Sequence, residues 1–248
     1  MKKNILFLLI SFAFISCIPK KEIIYLQSDD NLLVELSKDY EPTLKPDDLL
    51  QILVKTLDKE SSEPYSLNNQ NGTISPVGNT GYLIDKEGFI DFPFIGKIKA
   101  AGLKKSEFKA KISDELSKHL KNAFIDVRFI NFRVNVIGEV SHPGTIDVSS
   151  EKITILEALS KAGDLTIYGN RKNIKLIREE NGVVITHTLD LTSSKIISSP
   201  FYYLDQNDVI YVEPRRTKAD STAIGGNVTT GISVISSLLT LVLILTTL

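Results

Sequence analysis

Apolar and polar positions alternate most clearly across residues 132–214. Val134, Val136 and Val140 are separated by polar neighbours, the period of a half-buried strand. Pro143-Gly144 then pairs a fixed φ with a residue free to take φ > 0, which predicts a type II turn. Thr154 and Glu157 have capping-box spacing, and Leu156, Leu159 and Ala162 recur as one face of a helix. Gly163 falls where that helix would close in the left-handed region. A strand through Ile174 and Leu176, an Asn181-Gly182 hairpin turn, a strand over 183–186 and a last strand over 208–212 complete the stretch. One helix laid across several short strands predicts an α+β module of the β-grasp kind.

Upstream the same periods recur. Leu44-Lys-Pro-Asp-Asp-Leu-Leu-Gln-Ile52 predicts a turn followed by a strand. It echoes Leu204-Asp-Gln-Asn-Asp-Val-Ile-Tyr-Val212: Leu, three residues, Asp, two apolars, one polar, one apolar. In each, the Asp can accept from nearby backbone N–H groups and close the turn, so Asp48 and Asp208 read as structural rather than catalytic. The echo reads more readily as common turn chemistry than as an internal repeat. Residues 23–26 form a candidate first edge strand, and 58–80, rich in Ser, Asn, Gly and Pro, a long loop. Asp85-Lys-Glu-Gly88 predicts a hairpin turn between two strands, with Pro93 at an edge or bulge. Phe108, Ile112, Leu116 and Leu120 recur every fourth residue and predict an amphipathic helix; alternation resumes over 124–132.

The two ends are apolar for different reasons. Lys2-Lys3 and the apolar run 5–15 have the form of a secretory signal. Phe14-Ile-Ser-Cys17 resembles the lipobox of bacterial lipoproteins, which implies cleavage that leaves Cys17 as the acylated first residue. The run is too short to span a bilayer comfortably. At the other end, 223–248 carries no charged side chain, and the roughly 21 residues from Val228 onward would span about 31 Å as a helix, enough for a hydrocarbon core. Thr229, Ser233, Ser236, Thr240 and Thr247 fall on one side of that helix. They suit either a wetted, pore-lining stripe or a close helix–helix contact. An inner-membrane placement would leave Arg215, Arg216 and Lys218 outside, against the positive-inside rule, so the outer membrane fits better.

Composition narrows the chemistry. The chain has 248 residues, 29 basic and 30 acidic, and one Cys. After signal removal, 27 basic face 30 acidic residues, a net of −3 before terminal groups. That leaves no basic stripe for nucleic acid, and a single Cys forms no intramolecular disulfide. The three His residues have no zinc-ligand spacing, and no phosphate loop or nucleophile elbow occurs, so neither a metal, a cofactor nor an enzymatic role is expected. His142 lies in a turn where an exposed polar residue needs no function. Tyr168, Tyr202, Tyr203 and Tyr211 could stack on sugars, but strand aromatics more often serve packing.

Several stretches carry a resemblance. Gly138-Glu-Val-x-x-Pro-Gly144, Glu157-Ala-Leu-Ser-Lys-Ala-Gly163 and Tyr203-Leu-x-x-x-Asp-Val-Ile-Tyr-Val212 resemble the soluble-ligand-binding β-grasp domain of Wza-like bacterial polysaccharide export proteins. Residues 81–103 are similar to that family's export-domain signature, a Tyr-x-Ile strand leading to Gly-x-Ile-x-x-Pro-x-Ile-Gly. Where the family has a helix-capping Thr, this chain has Lys104, which makes Ser106 the alternative cap. The resemblance implies a signal peptide over 1–16, a tether over 17–39, an export domain over 40–131 and a β-grasp domain over 132–214. A linker over 215–227 and a transmembrane helix over 228–248 follow. It further implies an outer-membrane lipoprotein, mostly periplasmic, that forms a homo-oligomeric ring for polysaccharide. Such a ring docks on an inner-membrane polysaccharide co-polymerase or tyrosine kinase. The rival is a non-transporting periplasmic or surface lipoprotein that binds glycan.

Overall fold

The computed structural model describes residues 22–27, 40–58, 62–65, 81–180 and 182–215, with Ser233, Ser236, Ser237 and Thr240. Buried apolar side chains fall into two clusters. The first is organised by β1 (Leu49–Lys55), the middle strand of an antiparallel sheet with β2 (Tyr82–Leu83) and β5 (Phe124–Phe129). Leu50 stands opposite both Tyr82 and Phe129, and the alternation along β1 buries Leu50, Ile52 and Val54 on one face. A separate ribbon pairs β3 (Phe89–Phe92) with β4 (Gly96–Lys99). Helix α1 (Lys105–Ser117) covers this core with Phe108, Ile112 and Leu116, all fully buried, as the four-residue period requires.

The second core lies under a five-stranded sheet, β7-β6-β10-β8-β9, built from β6 (Arg133–Gly138), β7 (Gly144–Asp147), β8 (Gly169–Glu180), β9 (Val183–Leu189) and β10 (Val209–Pro214). Only β6 and β10 run parallel. A parallel pair needs a long crossover, and here it contains α2 (Ile155–Lys161) and the β8–β9 hairpin. The capping box forms as its spacing predicts: Glu157 N–H donates to Thr154 Oγ1 at 3.2 Å, and Thr154 N–H donates to the Glu157 carboxylate at 2.8 Å. Gly163 follows at φ 75°, and Gly182 turns the β8–β9 hairpin at φ 77°.

Several expectations are corrected. The described residues are mostly β-sheet with two α-helices, and none of the described helices is long and apolar enough to cross a membrane, which overturns an α+β chain ending in a transmembrane helix. Apart from Ser233, Ser236, Ser237 and Thr240, residues 228–248 lie outside the described residues. Gly144 does not take a positive φ: it begins β7 opposite Val136, so Pro143-Gly144 is not a type II turn of the expected kind. The turn at 85–88 forms, but β3 pairs with β4 rather than with β2. Pro93 sits in the tight β3–β4 turn instead of at an edge or bulge. Helix α1 starts at Lys105 with Ser106 in its first turn. The cap Lys104 has no acceptor to offer, so two carboxylates serve instead: Glu107 accepts from Lys104 N–H at 2.9 Å and Glu41 from Ser106 N–H at 3.0 Å. The apolar face of α2 is Ile155, Ala158 and Leu159, with Leu156 only partly buried. Residues 22–27 form a strap with one parallel bridge, Gln27 to Ser193, and no strand.

Candidate functional site

The echo between 44–52 and 204–212 is structural. In the first turn, Asp48 Oδ2 accepts from Lys45 N–H at 2.8 Å; in the second, Asp208 Oδ2 accepts from Asp205 N–H at 2.8 Å. The reverse backbone bonds, from the Asp N–H to the same residue's carbonyl, are both 3.3 Å. The preceding residues, Asp47 and Asn207, are both left-handed, at φ 69° and 64°, a conformation that Asp and Asn tolerate through local side-chain bonding. Leu44 and Leu204 are buried, each in its own core. A strand leaves each turn, β1 from one and β10 from the other.

The two turns meet at the junction of the cores. Lys45 and Asp205 occupy equivalent places in the echo, and their side chains pair at 2.8 Å. Tyr40 Oη donates to Asp205 Oδ1 at 2.6 Å, and its ring stacks on Tyr203 at 4.5 Å between centroids. Behind them Arg178, from β8, makes a bidentate pair with Asp208: Nη2 to Oδ2 at 2.6 Å and Nε to Oδ1 at 2.9 Å. Arg178 Nη2 also donates to the Tyr203 carbonyl at 3.2 Å.

Three aspartates therefore face two cations, and their environments differ. Burial alone would raise the Asp205 carboxyl, but Arg178, Lys45 and Tyr40 outweigh it and hold it below the ordinary value. Burial opposes the charge on Arg178, yet Asp208 and Asp205 outweigh it and raise its pKa. Burial and then Asp205 push the Tyr40 phenol well up. Asp48 makes no ion pair among the described residues, and burial pushes its carboxyl up to about 7. A cleft of about 740 Å³ opens beside the paired turns, lined by Thr43, Lys45, Glu179, Gln206 and Asn207 among others. The Gln206 amide is buried there, and neither Nε2 nor Oε1 has a hydrogen-bond partner among the described residues. Chemically, the junction locks two modules together. Its carboxylates are committed to backbone donors, to Lys45 and Tyr40, and to Arg178.

Asp48 and Asp208 are thus brought together, whereas Pro143, Gly144 and Gly163 lie elsewhere in the second module. Cys17, Thr229 and Thr247 lie outside the described residues. Ser233, Ser236 and Thr240 are helical, and hydroxyls there turn back on their own backbone: Ser236 donates to the Ser233 carbonyl at 2.9 Å, Thr240 to that of Ser236 at 2.7 Å. Sequence reasoning missed Tyr40, Lys45, Arg178 and Asp205. The available signal was the echo itself, which sets Lys45 and Asp205 at matching positions with opposite charge.

Two small β-rich modules, each with the same aspartate turn before a central strand, are joined to one another through those turns. Residues 36–129 match the polysaccharide biosynthesis/export protein family and residues 132–212 match the SLBB domain. The two matches, in order, support the polysaccharide export family. It is 31% identical over 140 residues to the EPS I polysaccharide export outer membrane protein EpsA of Ralstonia nicotianae, and 29% identical over 139 residues to EpsA of Ralstonia solanacearum. These alignments cover 55% and 54% of this chain, and 36% of the length of each relative.

Proposed function

We propose that this protein is a lipid-anchored, outer-membrane component of a polysaccharide export apparatus, acylated at Cys17, with most of its chain in the periplasm. In this reading it assembles as a homo-oligomeric ring that passes capsular or extracellular polymer outward and engages an inner-membrane co-polymerase or tyrosine kinase. The observation that carries the reading is the continuous match of both modules, in order, over residues 36–212. The junction supports it, because a wall built from many copies needs each copy's two modules held in fixed relation. Lipid at Cys17 follows from the lipobox resemblance; several acyl chains would anchor the protein stably where one would not.

The test is the mass of the detergent-extracted protein, with labelling by a radioactive fatty acid. A ring of several copies that is labelled, and unlabelled after Cys17→Ala, is the expected result. A stable monomer would refute ring export and favour the non-transporting glycan-binding lipoprotein. Label persisting in the Cys17→Ala variant would refute acylation at that residue.

A further inference from the structure

The strap Glu22–Gln27 begins five residues after Cys17 and is tied to the second module at Glu22, Tyr25, Leu26 and Gln27. Leu26 and Gln27 N–H donate to the carbonyls of Leu191 and Thr192 at 3.1 and 2.6 Å. Tyr25 Oη donates to Asp164 at 2.5 Å, and the Arg171 guanidinium lies 5.0 Å from the Tyr25 ring centroid. At the strap's start, Arg215 donates to the Glu22 carbonyl and lies 3.6 Å from its carboxylate.

Arg215 connects this start to one loop. Its N–H donates to the Tyr168 carbonyl at 2.7 Å, and its Nε to that of Gly169 at 3.2 Å. Glu22 is therefore one arginine side chain away from the loop over 166–169. The loop is firmly built. Thr166 Oγ1 donates to Glu139 at 2.7 Å and accepts from Tyr168 N–H at 3.1 Å, while Arg171 Nη1 donates to the Thr166 carbonyl at 3.2 Å. This framework holds two apolar side chains outward, Ile167 at 63% and Tyr168 at 40% exposure. Ile24, on the strap itself, is also exposed.

We infer that the Ile167–Tyr168 loop is a second membrane contact, seated in the phospholipid interface to which Cys17 is anchored. The inference rests on the proposed acylation of Cys17. Five residues reach at most about 17 Å, so an acylated Cys17 holds Glu22, and with it this loop, within that distance of the headgroups. An aliphatic side chain beside a tyrosine, whose ring is apolar and whose hydroxyl is wet, suits that interface. A rigid loop pays little ordering entropy on insertion. The second module then faces the bilayer, and the strap sets its tilt.

The chain has no tryptophan, so a single one reports its own surroundings. Full-length protein carrying Ile167→Trp, Tyr168→Trp or, as a control in the first module, Leu57→Trp is reconstituted into phosphatidylethanolamine and phosphatidylglycerol vesicles. Brominated acyl chains serve as quencher, and mass spectrometry of the N-terminal peptide reads the state of Cys17. The expected result is acylated Cys17, with emission at 167 and 168 blue-shifted and largely quenched and emission at 57 unaffected. Acylated Cys17 with unquenched emission at both sites overturns the membrane contact and leaves the anchor standing. Blue-shifted but unquenched emission assigns the loop to a protein contact such as a second copy, and overturns it equally. Unacylated Cys17 overturns the anchor and this inference with it.

Discussion

Asp48→Asn isolates one buried charge at the junction. The Asn Oδ1 can still accept from Lys45 N–H, so the turn keeps its closing bond and loses only the ionisation. Asp48 is 2% exposed, and its carboxyl is pushed up to about 7 by burial. The folded value lies above the unfolded one, so the native state binds the extra proton between them. The resulting stabilisation is full below the unfolded value and is lost as pH rises through about 7. Against an unfolded carboxyl near about 3.9, the complete loss is about 4 kcal/mol, of which about 3 kcal/mol falls between pH 4.5 and pH 8. Urea unfolding of the full-length protein in detergent at those two pH values reads this directly. The advantage of Asp48→Asn over the parent should grow by about 3 kcal/mol from pH 4.5 to pH 8. Any packing cost of the amide is the same at both pH values and cancels. Carboxylates remote from the junction, such as Asp85, titrate alike in both proteins. Parallel pH profiles would refute the reasoning and mean that Asp48 is ionised in the fold.

Substitutions at three further positions test the junction and the second module. Arg178→Met leaves Asp208 buried without its bidentate partner and should cost about 3–5 kcal/mol in urea melts, with Arg178→Lys failing to restore the two-pronged contact. Gly138→Ala places a Cβ 2.1 Å from the Val212 carbonyl at φ 91°, and should destabilise by at least about 1–3 kcal/mol. Gly144→Ala meets nothing within 4 Å and should stay within about 1 kcal/mol of the parent by thermal melts.

Periodicity made much of this fold legible. The four-residue recurrence of Phe108, Ile112 and Leu116 and the capping box at Thr154 reported burial and backbone satisfaction that local chemistry decides. Strand partners were less legible. The segment after the 85–88 turn has a hairpin's sequence, yet β2 is taken by β1 and β3 by β4, because pairing is settled by which strand covers which core. The start of α1 was hidden for a similar reason: Glu41, sixty-five residues upstream of Ser106, supplies a bond that a local cap would otherwise make. Pro143-Gly144 misled because a glycine permits a positive φ without requiring one. The tyrosines were ambiguous in sequence, and only Tyr203 proves to join the junction, where it stacks on Tyr40.

The paired turns show how one backbone device can carry two electrostatic outcomes. Both aspartates are buried, both close the same turn, and both precede a central strand, so the backbone alone cannot distinguish them. What differs is the neighbouring strand. The β8 partner of β10 carries Arg178, whose guanidinium reaches Asp208 and opposes the upward push that burial gives its carboxyl. No corresponding cation reaches Asp48 from β2, whose two residues are Tyr82 and Leu83. Lys45, the nearest candidate, is drawn across the junction to Asp205 instead. The ion pair between equivalent positions of the two turns thus clamps the modules and, by the same act, leaves Asp48 to be neutralised by a proton. Stability that depends on that proton is a consequence of using one turn twice, face to face, with only one of the two copies supplied with an arginine.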